Sequence, residues 1–175
     1  MKRSQEDVLD AALAVLRRGE VASLDSVAKE LDLTKAGVLH HFPSKEQLLL
    51  GVIDHTVDLW EKQLHKLSGQ NPTHLERLRA YVEFTIAADF DLADLALMCD
   101  PKLYETLSSR WRERLEPWFG EDPDASEEQL AIYRAARFIA DGAWFDQALG
   151  MTSFNTAQRA DICAVALKLL DGVGS

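Results

Sequence analysis

The sequence predicts an all-α chain of about nine helices, and three observations carry that reading. Apolar residues recur at helical spacing along the whole chain, with no alternating run that would suit a strand. Many of these runs follow a Ser, Thr or Asp placed as an N-cap, several with a Glu or Gln three residues on. Glycine, proline and asparagine fall between the runs, where a helix has to stop.

Ser4, followed by Gln5, Glu6 and Asp7, caps the first helix and sets acids against its positive end. Val8, Leu9, Ala12, Leu13 and Leu16 form its apolar stripe, and Gly19 after Arg17 and Arg18 ends it in the left-handed conformation. Ser23 caps a second helix carrying Leu24, Val27, Ala28 and Leu31. Asp32 stands where the next turn needs a left-handed residue, and Thr34 caps a third helix of seven residues. Pro43 and Ser44 stop that helix. Ser44 with Gln47 then opens a fourth of about two dozen residues, with Leu48, Leu49, Val52, Ile53, Val57, Trp60, Leu64 and Leu67 on its apolar side.

Ser68 to Pro72 is a break, after which Thr73 and Glu76 start a helix through Ala88. Leu92 to Cys99 is almost wholly apolar and reads as a short buried helix. Asp100-Pro101 begins the next, aligned on Leu103, Tyr104, Leu107, Trp111, Leu115 and Trp118, and Pro117 kinks or ends it. An acidic loop runs from Gly120 to Ala125. Ser126 with Gln129 opens a long helix to Leu149, and a last helix spans Thr156 to Asp171.

The chain carries 29 acidic and 19 basic residues in 175, a formal charge of −10. Residues 1–50 contribute only −1 of that, with seven Lys and Arg against eight Asp and Glu. The acidic remainder repels nucleic acid, so any DNA contact belongs to the N-terminal part. Cys99 and Cys163 lie far apart among apolar neighbours and read as reduced core thiols. No leader segment and no apolar run of about 18 residues is present, so a cytoplasmic protein without membrane contact is expected.

Thr34 to Lys45 holds no carboxylate although the chain is acidic. A short helix, a tight turn and a small basic helix make the helix-turn-helix arrangement, whose second helix can enter the DNA major groove. Thr34 caps that helix, and Ala36 and Gly37 are small enough to let it lie close to bases or backbone. Lys35 and Lys45 supply charge, and His40 and His41 can donate to phosphate. A solvated basic corner is the plain alternative. Gly37 argues against it, since glycine inside a helix costs ~1 kcal/mol relative to alanine and needs a steric reason.

The string from Ser26 to Leu49 resembles the N-terminal domain of the TetR family of bacterial transcriptional regulators, and the likeness runs over residues 4–55. The family's usual turn glycine is Asp32 here, and the tyrosine common beside the His-Phe pair is Leu39. The resemblance implies a homodimer on a palindromic operator, with a C-terminal domain that binds an effector and releases DNA. It places Lys35, Gly37, His40 and Lys45 at positions that touch DNA. The domains expected are a helix-turn-helix DNA-binding domain over 1–48 and an effector-binding and dimerisation domain over 49–175. Beyond residue 60 the length, Trp60, Trp111 and Ala140-Asp141-Gly142 look similar to short multidrug-responsive members that bind flat cationic aromatics.

The residues point the same way on separate grounds. Trp60, Trp111, Trp118 and Trp144 all follow the DNA-reading segment, with Asp58, Asp89, Asp100 and Asp141 dispersed among them. Flat rings with nearby acids suit a planar cation. The expected ligand set is Trp60, Tyr81, Phe84, Met98, Trp111, Asp141 and Trp144; the alternative is that these side chains fill a helical core. The last two long helices carry both small residues, including Ala135 and Ala164, and bulky apolars on several faces. That is more than one monomer buries, so a four-helix seam across a two-fold axis is expected there.

No cofactor and no catalytic or metal residues are expected. His55 with Asp58 and Glu61 with His65 have ligand-like helical spacing but no third partner. The chain lacks a Gly-rich phosphate loop, a nucleophile elbow and an HExxH run, which speaks against an enzyme. The expected function is a DNA-binding regulator, a ligand-released repressor. The other classes are a DNA-bound adaptor controlled by a protein partner and a helical metal-binding or enzymatic protein.

Overall fold

Ser4 starts α1 (Gln5–Arg17) with a reciprocal capping box: its hydroxyl accepts the Asp7 amide at 3.1 Å, and the Asp7 carboxylate accepts the Ser4 amide at 2.7 Å. In this computed structural model, residues 3–98, 100–122 and 124–172 are described; Cys99 lies outside them. Val8, Leu9, Ala12, Leu13 and Leu16 are buried as their spacing predicts, with Ala11 and Val15 beside them. Gly19 takes φ 72° and closes the helix. Ser23 repeats the box with Ser26 at the head of α2 (Leu24–Glu30). Asp32 then adopts φ 54°, the left-handed conformation that the turn requires.

The third helix is shorter than its sequence suggests: α3 spans Lys35–Leu39. The amides of His41 and Phe42 both turn back to the Val38 carbonyl at 2.9 Å. Pro43 disfavours helical geometry in the residue before it, so the chain tightens and stops. The α4 helix (Lys45–Ser68) follows, burying Leu48, Leu49, Val52, Ile53, Val57, Trp60 and Leu64. Gly69 at φ 76° and Asn71 at φ 50° make the break after it.

A second run of helices comprises α5 (His74–Ala87), α6 (Tyr104–Phe119), α7 (Glu127–Ala148) and α8 (Thr156–Asp171). Thr73–Glu76, Ser126–Gln129 and Asn155–Gln158 form capping boxes at the heads of α5, α7 and α8. Between α5 and α6, Leu92–Met98 is a 3-10 segment broken at Leu95, and Ala93, Leu95 and Ala96 in it are buried as expected. Asp91 caps its start: its carboxylate accepts the Ala93 amide at 2.8 Å, and Asp94 accepts the Asp91 amide at 2.9 Å. Its end residues Leu92 and Met98 are exposed. The next helix begins at Tyr104, not at Pro101, and Tyr104 is exposed. Pro117 lies inside α6, whose end follows two residues later at Phe119.

The chain forms two compact units. Unit 1 is Met1–Asp58 with Asp91–Arg114, and unit 2 is Leu59–Phe90 with Leu115–Ser175. In unit 1, α1 packs on α2 and on the 3-10 segment, and α2 packs on α3. Val8, Val15, Val27, Val38, Leu48, Ile53 and Leu107 are buried in that unit. Each such side chain contributes about 1.5–3 kcal/mol by leaving water. In unit 2, α5, α7 and α8 pack against one another. The expected boundary after residue 48 falls within α4, whose residues through Asp58 belong to unit 1. Among the described residues no helix is long and apolar enough to cross a membrane.

Gly51 on α4 is a close approach inside unit 1. A Cβ there would lie 2.7 Å from Phe42 Cε1 and 3.1 Å from Leu9 Cδ2. Gly51→Val is therefore expected to destabilise the protein by roughly 1–3 kcal/mol, the usual cost of overpacking. Urea unfolding measures it, and an unchanged midpoint would show that Phe42 moves aside freely.

Candidate functional site

The α3 helix offers only one side chain to the core, Val38. Thr34, Lys35, Ala36, Leu39 and His40 stand exposed around it, while Gly37, His41 and Lys45 are half-buried. Thr34 caps the helix by accepting the Gly37 amide at 3.2 Å. The position that carries the second partner of a capping box elsewhere in the chain is here a glycine. A Cβ at Gly37 would meet Leu33 Cβ at 3.6 Å and Thr34 Oγ1 at 3.7 Å, ordinary contact distances. Packing within the protein does not demand a glycine at that place.

Both lysines of the stretch are paired with acids. Lys35 Nζ lies 2.9 Å from Asp25 Oδ2 in an exposed pair, a contact worth little in water. Lys45 Nζ lies 2.6 Å from Asp100 Oδ2, which is largely shielded from solvent. That hydrogen bond, with the Lys102 amide second, holds the Asp100 carboxyl below the usual carboxylate range. The His40 and His41 rings meet edge to face at 5.4 Å. Asp25 and Asp100 were not legible as partners; Asp100 comes from 55 residues away, and no local spacing signals such a pair.

Further along α4, Asp54 accepts from Arg110 Nε at 2.8 Å and from Arg114 Nη1 at 3.0 Å, and Arg114 Nη2 reaches Asp58 at 2.6 Å. Two carboxylates one helical turn apart thus share two guanidinium groups, tying α4 to the 104–114 part of α6 within unit 1. His55 Nε2 faces Asp10 at 3.0 Å. Among the described residues no group of three or more His, Cys, Asp and Glu can hold a metal ion.

The residues named for an effector divide between the units. Trp111 and Met98 belong to unit 1, where Trp111 is buried and Met98 is exposed. Trp60, Tyr81, Phe84, Asp141 and Trp144 belong to unit 2. Trp60 is the hub of an aromatic cluster there, with ring centroids 5.2 Å from Phe84, 5.1 Å from Phe90, 5.4 Å from Trp144 and 6.5 Å from Tyr81. Trp60, Tyr81 and Trp144 are only 3%, 1% and 4% exposed. Phe90 completes the cluster and was missed because a lone Phe in a break between helices carries no periodic signal.

All four acids considered for a cation already have one. Asp58 pairs with Arg114, Asp89 with Arg159, Asp100 with Lys45, and Asp141 with Arg137. Tyr81 also donates its hydroxyl to Asp141 at 2.7 Å. Burial pushes the Tyr81 phenol well up, the Asp141 charge adding to it, and burial likewise raises the Asp141 carboxyl. A separate cleft of about 260 Å³ lies along α7 and α8, lined by Ile86, Ile139, Ala143, Gln147, Arg159 and Ile162 among others.

Residues 8–52 match the family model described as bacterial regulatory proteins of the tetR family, and residues 75–171 match the tetracyclin repressor-like C-terminal domain. Three solved structures share the fold. One is a protein from Rhodococcus sp. assigned to the TetR-family transcriptional regulators, with a TM-score of 0.71, 16% identity and 98% of each chain covered. Another is assigned as a transcriptional regulator of Pseudomonas aeruginosa PAO1, with a TM-score of 0.65, 20% identity and coverage of 96% of this chain and 90% of that one. The third is the multidrug binding protein EbrR complexed with imidazole, with a TM-score of 0.61, 17% identity and coverage of 95% and 94%. A comparison with functionally curated proteins gave no match. Members of the matched family are transcriptional regulators, not enzymes. With both its DNA-binding and C-terminal family models matched, the chain belongs to the TetR family of bacterial transcriptional regulators.

Proposed function

We propose that this TetR-family regulator is a homodimeric repressor that binds a palindromic operator through residues 34–45 and lets go when a flat aromatic cation enters unit 2. In this reading residues 1–48 bind DNA, residues 49–175 sense and dimerise, and the protein works in the cytoplasm. The observation that carries it is the exposed, carboxylate-free face of α3, where a glycine sits that internal packing does not need. Supporting the sensing half, one continuous helix, α4, bears both Lys45 and Trp60, the hub of the aromatic cluster. Supporting the dimer, Phe138 on α7 is 70% exposed, with Val165 and Leu169 of α8 also open to solvent.

Selection of bound sites from random duplex DNA tests the reading directly. A dimer of this kind should return two inverted half-sites about one or two helical turns apart, near 34–36 Å per turn. Recovery of single unpaired sites would sink the dimeric operator. A protein-controlled adaptor would instead bind DNA unchanged by any aromatic cation and release it on adding its partner.

Lys45 gives a finer test. Lys45→Ala should weaken binding alike on all operator sequences and reduce the salt dependence by about one unit, as expected for one phosphate contact. Asp100→Asn frees the same ammonium and removes a carboxylate, so it should tighten binding, by about tenfold for ~1.4 kcal/mol. Equal affinity and equal salt slopes for both variants and the wild type would remove Lys45 from the interface.

A further inference from the structure

Arg137 of α7 occupies a place built for a cation. Its guanidinium carbon stands 3.9 Å from the centroid of the Phe119 ring, in the geometry of a cation held on an aromatic face. Its Nε lies 3.3 Å from Asp141 Oδ2, while Asp141 Oδ1 accepts the Tyr81 hydroxyl at 2.7 Å. The Tyr81 and Phe119 rings meet edge to face at 5.2 Å. One aromatic face and one carboxylate fixed by a buried phenol thus surround a flat positive group, all within unit 2.

An ordinary i,i+4 pair on a helix surface needs neither the phenol nor the ring. Asp141 here is instead drawn inward, and its side chain keeps only 23% of its surface. The Arg137 hold is nevertheless loose. A charge-assisted N–H···O bond is typically about 2.7–2.9 Å long, and a well-seated guanidinium uses both carboxylate oxygens. Arg137 makes one long contact, to Oδ2, while Tyr81 donates to Oδ1. Its side chain keeps 36% of its surface, so it has a way out to water.

We propose that Tyr81, Asp141 and Phe119 form a subsite for an amidinium or guanidinium group, with Arg137 as its resident competitor. A ligand bearing that group displaces the Arg137 head, donates N–H to Asp141 and stacks on Phe119. A quaternary ammonium ion has no N–H to donate, so it replaces Arg137 poorly. The proposal rests on unit 2 being the effector unit only for its consequence at the operator; occupancy of the subsite stands separately.

Benzamidinium is the probe, measured by calorimetry against wild type, Arg137→Ala, Arg137→Gln and Asp141→Asn, each checked by thermal melting. Arg137→Ala is expected to bind benzamidinium at least about tenfold more tightly than wild type, the equivalent of ~1.4 kcal/mol. Arg137→Gln, which keeps the length and loses the charge, should bind more tightly than wild type as well, and serves if the alanine variant fails to fold. Phenyltrimethylammonium should gain less from either change, and Asp141→Asn should lose benzamidinium. Equal affinity in wild type and both Arg137 variants, or full binding by Asp141→Asn, overturns the subsite. The two readings separate at the operator. Benzamidinium that binds as expected without changing operator affinity removes the effector role and leaves the subsite. Release of operator from Asp141→Asn as readily as from wild type removes the subsite and leaves the effector role.

Discussion

Gly37→Glu is expected to abolish operator binding while leaving the protein at least as stable as before. The two effects come from separate sources. In the fold, Gly37 is the third residue after the Thr34 cap, the position occupied by Asp7, Ser26, Glu76, Gln129 and Gln158 in the capping boxes of α1, α2, α5, α7 and α8. A glutamate there completes the missing box and replaces a glycine, which is worth roughly 0.5–1 kcal/mol in a helix. The new Cβ meets Leu33 and Thr34 at 3.6 and 3.7 Å, so nothing has to move. At the interface the same residue brings a side chain and a negative charge to a basic stretch that holds no carboxylate. Facing phosphates, that costs several kcal/mol, a loss of a hundredfold or more at about 1.4 kcal/mol per tenfold. Gel shift and thermal melting on one preparation decide it. Wild-type affinity in a well-folded variant would mean that α3 does not face DNA.

That absent box also shows what the sequence makes legible. Caps and turns are local: Ser4 with Asp7, Thr73 with Glu76, Gly19 and Asp32 each lie within a few residues of what they control, and the structure has them as expected. The apolar stripes of α1 and α4 are legible for the same reason, since period and burial are tied by geometry. Long-range charge pairing is not. With 29 acids and 19 bases, Lys45 has many possible partners, and only the folded chain brings Asp100 to it. Residues 91–114 therefore read as part of the C-terminal domain, although Arg17–Asp91, Lys45–Asp100 and Arg110–Asp54 bind them into unit 1. The aromatic cluster was legible as a composition, through Trp60, Tyr81, Phe84 and Trp144. Phe90 and the guanidinium on Phe119 were not, because ring contacts depend on helix packing that no spacing encodes.

Phe138→Glu is expected to convert the dimer to a folded monomer. Along α7, Ala131, Ala135 and Phe138 are exposed at spacings of four and three residues, and α8 exposes Ala160, Ala164, Val165 and Leu169. The buried sides of the same helices are already filled by Leu130, Tyr133, Ala136, Ala140 and Trp144 on α7 and Cys163, Ala166 and Leu170 on α8. The outer face is thus surplus to the monomer core, and Phe138 is its largest exposed ring at 70%. Across a two-fold axis each substitution counts twice. Losing burial of two Phe side chains forfeits about 3–6 kcal/mol, which raises the dissociation constant by roughly a hundredfold to ten-thousandfold before the two added charges are counted. Ala164→Glu should act in the same direction, since small residues let the helices approach and a long charged side chain holds them apart. Because Phe138 contributes little to its own unit's core, helicity and cooperative melting should survive. Sedimentation at micromolar concentration should then show half the wild-type mass. Operator affinity should fall with it, because a lone half-site keeps only its own phosphate contacts. An unchanged mass for both variants would place the dimer seam elsewhere on the chain.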